Sequence, residues 1–521
     1  MRALSLSELL LIELAQPHDA PLRQRIYELL RRAIIQGVIP GGARLPSSRD
    51  LANELNLSRN TVVSAVEQLL AEGYVQARVG SGTYVNESLP EHETRRVARL
   101  AKAAAPQATP PVARAMRNLS TRGQRLTRLS GFERLEVQPF SPGDADYETL
   151  PFKQLNQLLK KYLSRSRPDL LDCGEPGGYL PLRRALARYL QVSRSVNVTP
   201  EQLLITTSTQ QSLDLCARLL ANEGDEVWLE NPCYWGAQLA VESAGLHARP
   251  IAVDDDGIHP SDSDWLSHPK LIYVTPSNQY PSGAVMSLER RRQLLDFAAS
   301  RQAWVLEDDY DSEFRYEGRP LPSLQGMDNQ GQVIYLGTFS KVMYQGVRLA
   351  YMVVPTDLVG PMRTGLYDLF RPGQLAMQAA LAEFIEDGQF EANIRRMRVI
   401  YGERRAQLLA TLRECMGDRV RISHSNAGMN MVIYLPEGSD DKAMAAAVAR
   451  HKMTVRALSD YYLSSEHGGR RAGLVVGYAY VATANIEPWA RTLAALILSE
   501  LNGAAALAAA QPQDDKASRT R

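Results

Sequence analysis

The stretch Tyr335-Leu336-Gly337-Thr338-Phe339-Ser340-Lys341, followed seven residues later by Arg348, decides how this 521-residue chain is read. An apolar run ends in small and hydroxylated residues and then a lysine. A lysine attacks an aldehyde carbon only when its amine can lose a proton and is aimed, so it needs a packed setting. The small and hydroxylated residues before it can approach a phosphate, and Arg348 can neutralise that phosphate. Alone, the segment also fits an ordinary surface lysine. The rest of the chain changes that, because it supplies the other parts of a cofactor site in order.

The length predicts two or three folded units. Hydrophobic residues make up 45% and charged residues 22%, the balance of a globular protein. The formal net charge is +1, so any binding of nucleic acid has to come from local arrangement. Cys173, Cys216, Cys233 and Cys415 have neither CxxC nor zinc spacing and read as reduced thiols, with no metal site implied. The apolar run Leu9–Ile12 is short and flanked by Glu8 and Glu13, which argues against a signal peptide. No apolar stretch approaches the length of a membrane span, and a cytoplasmic protein is expected.

Four regions follow one another. Residues 18–86 read as a small helical unit with a hairpin. Ile26, Leu29, Leu30, Ile34 and Ile35 recur at helical spacing up to Gly37. Ser47 and Ser48 can cap a second helix through Leu51, Ala52 and Leu55. Ser58 caps a third, with Val62, Val63, Val66, Leu69 and Leu70 as its inner face. Tyr74–Ala77 and Thr83–Val85 alternate around Gly80-Ser81-Gly82, a hairpin signal. Residues 87–135 are expected to be a linker, part flexible and part helical. Between Thr94 and Gly131 it holds nine Arg or Lys and no acidic residue, so it is either a solvated tether or an added attraction for phosphates. Residues 136–502 alternate short β-branched runs (Leu203–Thr206, Glu226–Leu229, Leu271–Thr275, Ala303–Leu306, Val333–Leu336) with helical stretches, which predicts βαβ units and a mostly parallel sheet. The Ala-rich, then polar, residues 503–521 are expected to be a disordered tail.

In the first region a tight turn between Leu55 and Ser58 places the third helix to enter a major groove. Ser58, Arg59, Asn60 and Thr61 at its start can meet phosphates or base edges, and Arg49 can grip the backbone. Arg78, Gly80, Ser81, Gly82 and Thr83 form a wing whose glycines permit close approach. The wording of Pro40–Arg49, Leu57–Val62 and Gly80–Val85 resembles the GntR-type winged helix-turn-helix nearly residue for residue, from Pro21 to Val85. That resemblance implies a double-stranded DNA operator as partner.

Further segments suit pyridoxal phosphate. Asp308 follows an apolar strand in Glu307-Asp308-Asp309-Tyr310, and a carboxylate facing the pyridine nitrogen keeps that nitrogen protonated. Tyr310 can reach the phenolic oxygen of the ring. Thr207, Ser208 and Thr209 lie between a strand and a helix, where free amides and hydroxyls cradle phosphate. Tyr234 follows another strand and can stack on the ring, and Tyr280-Pro281-Ser282-Gly283 follows a third. In order and spacing, the whole set resembles the fold-type-I aminotransferase domain across about residues 140–500. Joined to a GntR-type reader, it resembles the MocR/GabR regulators. The expected fold is therefore multi-domain: a mainly α winged helix-turn-helix followed by an α/β fold-type-I aminotransferase-like domain. The resemblance implies pyridoxal 5'-phosphate held by a Schiff base at Lys341, with Asp308 on the pyridine nitrogen, Tyr310 at the phenolic oxygen and Tyr234 stacked. Thr207, Ser208, Thr209, Thr338 and Arg348 would hold the phosphate, and Tyr280 and Ser340 complete the expected set. It also implies a homodimer.

Three positions depart from the aminotransferase pattern. Tyr280 stands where an asparagine usually holds the phenolic oxygen, leaving Asn278 or Gln279 as substitutes. Ser208 stands where glycine is frequent. The stretch Gly473–Tyr478 lacks the arginine that binds a substrate carboxylate, with Arg470 and Arg471 nearby reading as surface residues. These departures favour a transcriptional regulator that senses an amine or amino acid, or the cofactor itself, over a working aminotransferase or an empty dimerisation scaffold.

Overall fold

The computed structural model describes residues 20–78, 81–87, 119–129, 137–164, 167–172, 174–318, 321–371, 373–423, 426–463 and 470–510, together with Leu10 and Leu14. The chain divides into two compact units, residues 1–118 and 119–521.

The first unit has three helices, α1 (Leu22–Ile35), α2 (Ser48–Glu54) and α3 (Arg59–Ala71), and a hairpin of β1 (Val75–Arg78) and β2 (Gly82–Val85). Both expected caps form. The side chain of Ser47 accepts from the backbone N–H of Asp50, and that of Ser58 from Thr61. Asn56, at φ +52°, turns the chain between α2 and α3, a backbone region that asparagine tolerates better than most residues. Ile26, Leu30, Ile34, Leu51, Leu55, Val62, Val66, Leu69 and Val85 form the core, while Leu29, Ile35, Val63 and Leu70 flank it half-buried. Each fully buried apolar side chain contributes about 1.5–3 kcal/mol. Leu10, from the apolar run near the start, is buried in this same core. In the hairpin, Arg78 pairs with Gly82 and Val75 with Val85.

The second unit begins earlier than residue 136. Helix α4 (Thr121–Leu129) lies inside the stretch expected to be linker, and it packs against a helix of the domain proper (Trp235–Ser243). Gly123 and Gln124 accept no interruption there: Ser120 caps the helix through the Gly123 N–H. Residues 88–118 lie outside the described residues. The large lobe is an eight-stranded sheet built from β3 (Leu203–Thr206), β4 (Glu226–Asn231), β5 (His247–Asp254), β6 (Gly257–Ile258), β7 (Leu271–Val274), β8 (Trp304–Asp309), β9 (Val333–Thr338) and β10 (Ala350–Val353). Their spatial order is β3-β10-β9-β8-β7-β4-β5-β6. The five central strands from β9 to β5 are parallel, and β10 and β6 run antiparallel to their neighbours. The expected strands are all present, and their near-continuous apolar composition follows from burial of both faces. Parallel strands bring their C-terminal ends to one edge, where ligands of open α/β sheets bind.

The small lobe is a four-stranded antiparallel sheet, β11 (Arg421–Ile422), β12 (Asn430–Tyr434), β13 (Arg456–Ala457) and β14 (Gly473–Gly477), in the order β11-β12-β14-β13. Two long helices, Gln389–Met416 and Ile486–Ala510, pack with it, burying Leu408 and Leu412 with Leu493 and Ile497 against Met431, Ile433, Leu474 and Val476. The last helix passes residue 502, the boundary expected for a disordered tail, and continues to Ala510. After Gly503 the segment Ala504–Ala510 is alanine but for Leu507, both strong helix formers, and no proline occurs before Pro512. Residues 511–521 lie outside the described residues. Among the described residues, no helix is long and apolar enough to cross a membrane.

Candidate functional site

The site gathers where β8 and β9 end and the segment around Gly143 passes them. Lys341 follows β9, and its Nζ donates to the carbonyl of Gly143 at 2.7 Å. The Gly143 N–H in turn donates to Asn430 Oδ1 of the small lobe at 2.8 Å. Burial pulls the lysine below its usual pKa, opposed by the carboxylates of Asp144, Asp311 and Asp308. The amine is thereby eased toward the neutral, nucleophilic form.

Asp308 ends its strand 5% exposed. Its Oδ2 accepts from the Tyr273 hydroxyl at 2.7 Å, while Oδ1 is buried without a hydrogen-bond partner. Burial, with the charge of Asp309 added, pushes its carboxyl up to about 7 against the Tyr273 bond and the Lys341 charge. Next to it, Asn278 Nδ2 donates to the Tyr310 hydroxyl at 3.0 Å and to both carboxylate oxygens of Asp311 at 3.0 Å. Asp311 is 1% exposed, and burial raises it to about 8. Glu230 is raised to about 7 by burial, with its Oε2 held by Thr275 and Gln279. Tyr280 stands edge-on to Tyr310 (ring centroids 5.5 Å apart), to Tyr234 (6.0 Å) and to Tyr461 (5.5 Å). The carbonyl of Gly428, a small-lobe residue at φ +83°, accepts from the hydroxyls of Tyr316 and Tyr478, each at 2.6 Å.

At the other end of the site, Ser208 caps the helix Thr209–Leu220 by accepting from the Gln211 N–H at 3.2 Å. Its φ of −174° is extended backbone that any residue adopts, so serine is accommodated where glycine is frequent. The first-turn N–H groups of a helix have no partner within it and favour an anion. Thr207, Ser208 and Thr209 are half-buried there. Thr338 Oγ1 accepts from the Ser340 N–H at 3.1 Å and faces its hydroxyl. Arg348, at φ +50°, is exposed, and no side-chain hydrogen bond or ion pair engages it among the described residues.

In the first unit Arg49, Arg59 and Asn60 are exposed, as are Arg78, Ser81 and Gly82 of the hairpin. Ser58 and Thr61 face each other through their hydroxyls at 2.7 Å, so both are engaged in the cap while Arg59 and Asn60 project freely. Arg78 lies over the Tyr84 ring at 4.7 Å, which steadies the wing, and Ser81 meets the Tyr84 hydroxyl at 2.7 Å. Thr83 is half-buried. Gly80 lies outside the described residues.

Residues 22–85 match the model of the bacterial regulatory proteins of the gntR family, and residues 137–470 that of the class I and II aminotransferases. The probable rhizopine catabolism regulatory protein MocR of Rhizobium meliloti is 37% identical over 462 residues, covering 88% of this chain and 90% of its own. The chain belongs to the MocR-type regulators of the gntR family. A second relative, the pyridoxine biosynthesis transcriptional regulator PdxR of Corynebacterium glutamicum, is 29% identical over 89% of this chain and 93% of its own. Among solved structures, the multiple substrate aminotransferase of Thermococcus profundus superposes with a TM-score of 0.65 at 26% identity, over 74% of this chain and 98% of its own. This MocR-type chain is thus a transcriptional regulator with a DNA-binding GntR domain and an aminotransferase-fold domain.

The aminotransferase-fold domain brings Lys341, Asp308, Tyr310, Tyr280 and Tyr234 close to one another. Of the two amides beside the missing asparagine, Asn278 is the one turned to Tyr310, whose hydroxyl accepts from its Nδ2. Gln279 is turned to structure, its Nε2 donating to the carbonyls of Pro232 and Tyr280 at 2.8 Å each. No arginine lies on β14. Arg470 donates to the Ser459 carbonyl at 2.9 Å and Arg471 is exposed. Sequence reasoning missed Asp311, Asp144, Gly143, Asn430 and Arg456. Asp311 directly follows the Glu307–Tyr310 run already singled out. Arg456, half-buried on β13, is close enough to Tyr280 and Tyr461 for its charge to oppose the burial that raises both phenols. The remainder had no local signal, since Gly143 and Asn430 meet across 287 positions of sequence.

Proposed function

We propose that this MocR-type regulator holds pyridoxal 5'-phosphate at Lys341 and there senses an amine or amino acid, or the cofactor itself, to set the occupancy of its DNA operator. The observation that carries this reading is the buried, unpartnered Oδ1 of Asp308 in the same space as a lysine of lowered pKa. A buried carboxylate oxygen with no donor is costly, and a protonated ring nitrogen is the donor that would satisfy it. When bound, the cofactor supplies an aldehyde for primary amines and an electron-withdrawing ring.

The chain's own residues supply position. Asp308 would hold the ring nitrogen, and Tyr310, itself fixed by Asn278, the phenolic oxygen. The amides and hydroxyls of Thr207–Thr209, with Thr338, Ser340 and the unengaged Arg348, would hold the phosphate. The bond from Lys341 to the Gly143 carbonyl would aim the amine. The exposure of Arg348 in a single chain suits a site completed by a second copy, and a homodimer would present two readers to a repeated or palindromic operator. The relatives' roles, rhizopine catabolism in one and pyridoxine biosynthesis in the other, keep both an amine and the cofactor as candidate signals.

The test is the visible absorption spectrum of the full-length protein titrated with pyridoxal 5'-phosphate, paired with operator binding. A cofactor band lost in Lys341→Ala is expected. A further spectral change with one amine, a change in operator affinity and no keto product identify a sensor. The competing reading, a working aminotransferase, has Arg456 in its favour as a cation near the site wall. Steady release of keto product would establish it, and no spectral band at saturating cofactor would overturn both.

A further inference from the structure

A cavity of about 460 Å³ lies at the seam of the two lobes, lined by the chain neighbours of Tyr280 and Tyr461, among them Ser282 and Tyr462. The large lobe contributes the end of β4, the end of β5 and the turn Ser282–Val285, and the small lobe contributes β11, β12 and the chain after β13. A volume of this size is that of a small-molecule site.

Its polar lining is unusually short of partners. Asn231 is 3% exposed, and although its Oδ1 accepts from the Leu463 N–H at 2.9 Å, its Nδ2 has no hydrogen-bond partner. Arg315 Nε, on the same lining, is likewise buried without one. Arg421 and Arg471 lie over the ring of Tyr434, at 4.3 and 5.9 Å from its centroid. A guanidinium resting on an aromatic face keeps its in-plane N–H donors for a ligand.

Two carboxylates share the lining. Asp254 is already engaged, its Oδ2 facing Arg290 at 3.2 Å and His259 at 3.0 Å. Asp255 is exposed and stands 4.0 Å from Arg421, too far for a good hydrogen bond. Three arginines and an orphaned amide donor therefore face a cavity with one loosely paired carboxylate.

The geometry points to a second ligand site in this domain, one that takes a small molecule with two acidic oxygens groups, carboxylate or phosphate, through Arg315, Arg421, Arg471 and Asn231. Bidentate guanidinium pairing is the recognition mode for both anions. Because the donors come from both lobes, an occupant would tie the lobes together, beside the chain neighbours of Tyr280 and Tyr461. This inference does not rest on the cofactor reading, since no residue it uses belongs to that site.

The experiment is calorimetric titration of the full-length protein, saturated with pyridoxal 5'-phosphate, with inorganic phosphate and separately with glutarate. Binding of at least one anion is expected, and which one binds separates a phosphorylated ligand from a dicarboxylate. The pair Arg421→Met and Arg471→Met should abolish that binding, and Arg491→Met, at a surface arginine paired with Glu414 and Glu487, should leave it intact. Asp255→Asn, at an exposed position, should tighten it several-fold, a gain that a merely structural role would not produce. The proposal is overturned if neither anion binds, if the arginine pair is dispensable, if Arg491→Met removes the signal, or if Asp255→Asn leaves the affinity unchanged.

Discussion

In the N-terminal unit the residues offered to a ligand are exposed, and the core beneath them is wholly apolar; in the C-terminal unit the residues offered are buried among other charges. Arg49, Arg59 and Asn60 stand in water, where their charge costs the fold little. Asp308, Asp311 and Glu230 are each less than a tenth exposed, and all three are pushed up toward neutrality by burial. A DNA face has to be accessible to a large, uniform polyanion, so it is assembled from a few side chains on one short segment. A cofactor pocket has to exclude water, so it is assembled from many segments and stores its polarity inside. The contrast teaches that the first kind of site can change without disturbing its scaffold, and the second cannot.

The largest effect that could break this contrast comes from beneath the pocket. Arg194 donates to Asp309 at 2.7 Å and to Ser277 at 2.6 Å, all buried, and the Tyr335 hydroxyl donates to the same Asp309 oxygen at 2.6 Å. Arg194→Met should destabilise the second unit by about 3–5 kcal/mol, because it leaves a buried carboxylate uncompensated. Chemical unfolding should show that transition moving while the reader's stays in place; a common shift of both would deny their independence.

Next in size is a dependence on pH. Asp308 and Asp311 titrate near 7 and 8 in the folded chain, above the ordinary aspartate value. Stability from holding those protons is full below the unfolded value of about 4 and is lost as pH rises through the folded values. The cofactor-free protein should therefore melt at falling temperature from about pH 5 to 8, and Asp311→Asn should flatten that fall by an amount of order ~2 kcal/mol. An unchanged slope in the variant would place the titration elsewhere.

In the reader the same scale of intervention should touch binding alone. Arg59→Ala should weaken operator binding by about 1–3 kcal/mol and lower its salt dependence, with no change in melting. The smallest effect is expected from Ser58→Ala, which removes the α3 cap and should cost about 1 kcal/mol of reader stability. If Ser58→Ala weakened binding more than Arg59→Ala, the serine would be a DNA contact rather than a cap.

Legibility in the sequence followed the same division. The reader was readable almost entirely, because caps, turn and hairpin are local and each is written within a few residues. In the larger unit, the positions of Asp308, Tyr310 and Lys341 at and just beyond the ends of β8 and β9 were readable because each follows an apolar run. The partners that give them their chemistry were not. Asp144, Gly143 and Asn430 reach Lys341 only through the closing of two lobes, and nothing in their neighbours marks them. That Asn278 and not Gln279 turns to Tyr310 needed geometry, because both amides lie on the same short turn and only their directions differ. One boundary also moved, the run to Ala510, where helix-forming sequence had been read as tail, while the helical part expected of the linker is α4, packed on the second unit.

One consequence concerns a residue with no side chain. Gly428 comes so close to Asn278 that a methyl group placed on it would collide with the amide and lie 2.8 Å from Asp311 Oδ2, and its φ of +83° already disfavours any larger residue. Gly428→Ala is therefore a wedge one carbon wide, able to prise the small lobe away from the Asn278–Asp311 pair while leaving every polar group of the pocket chemically intact.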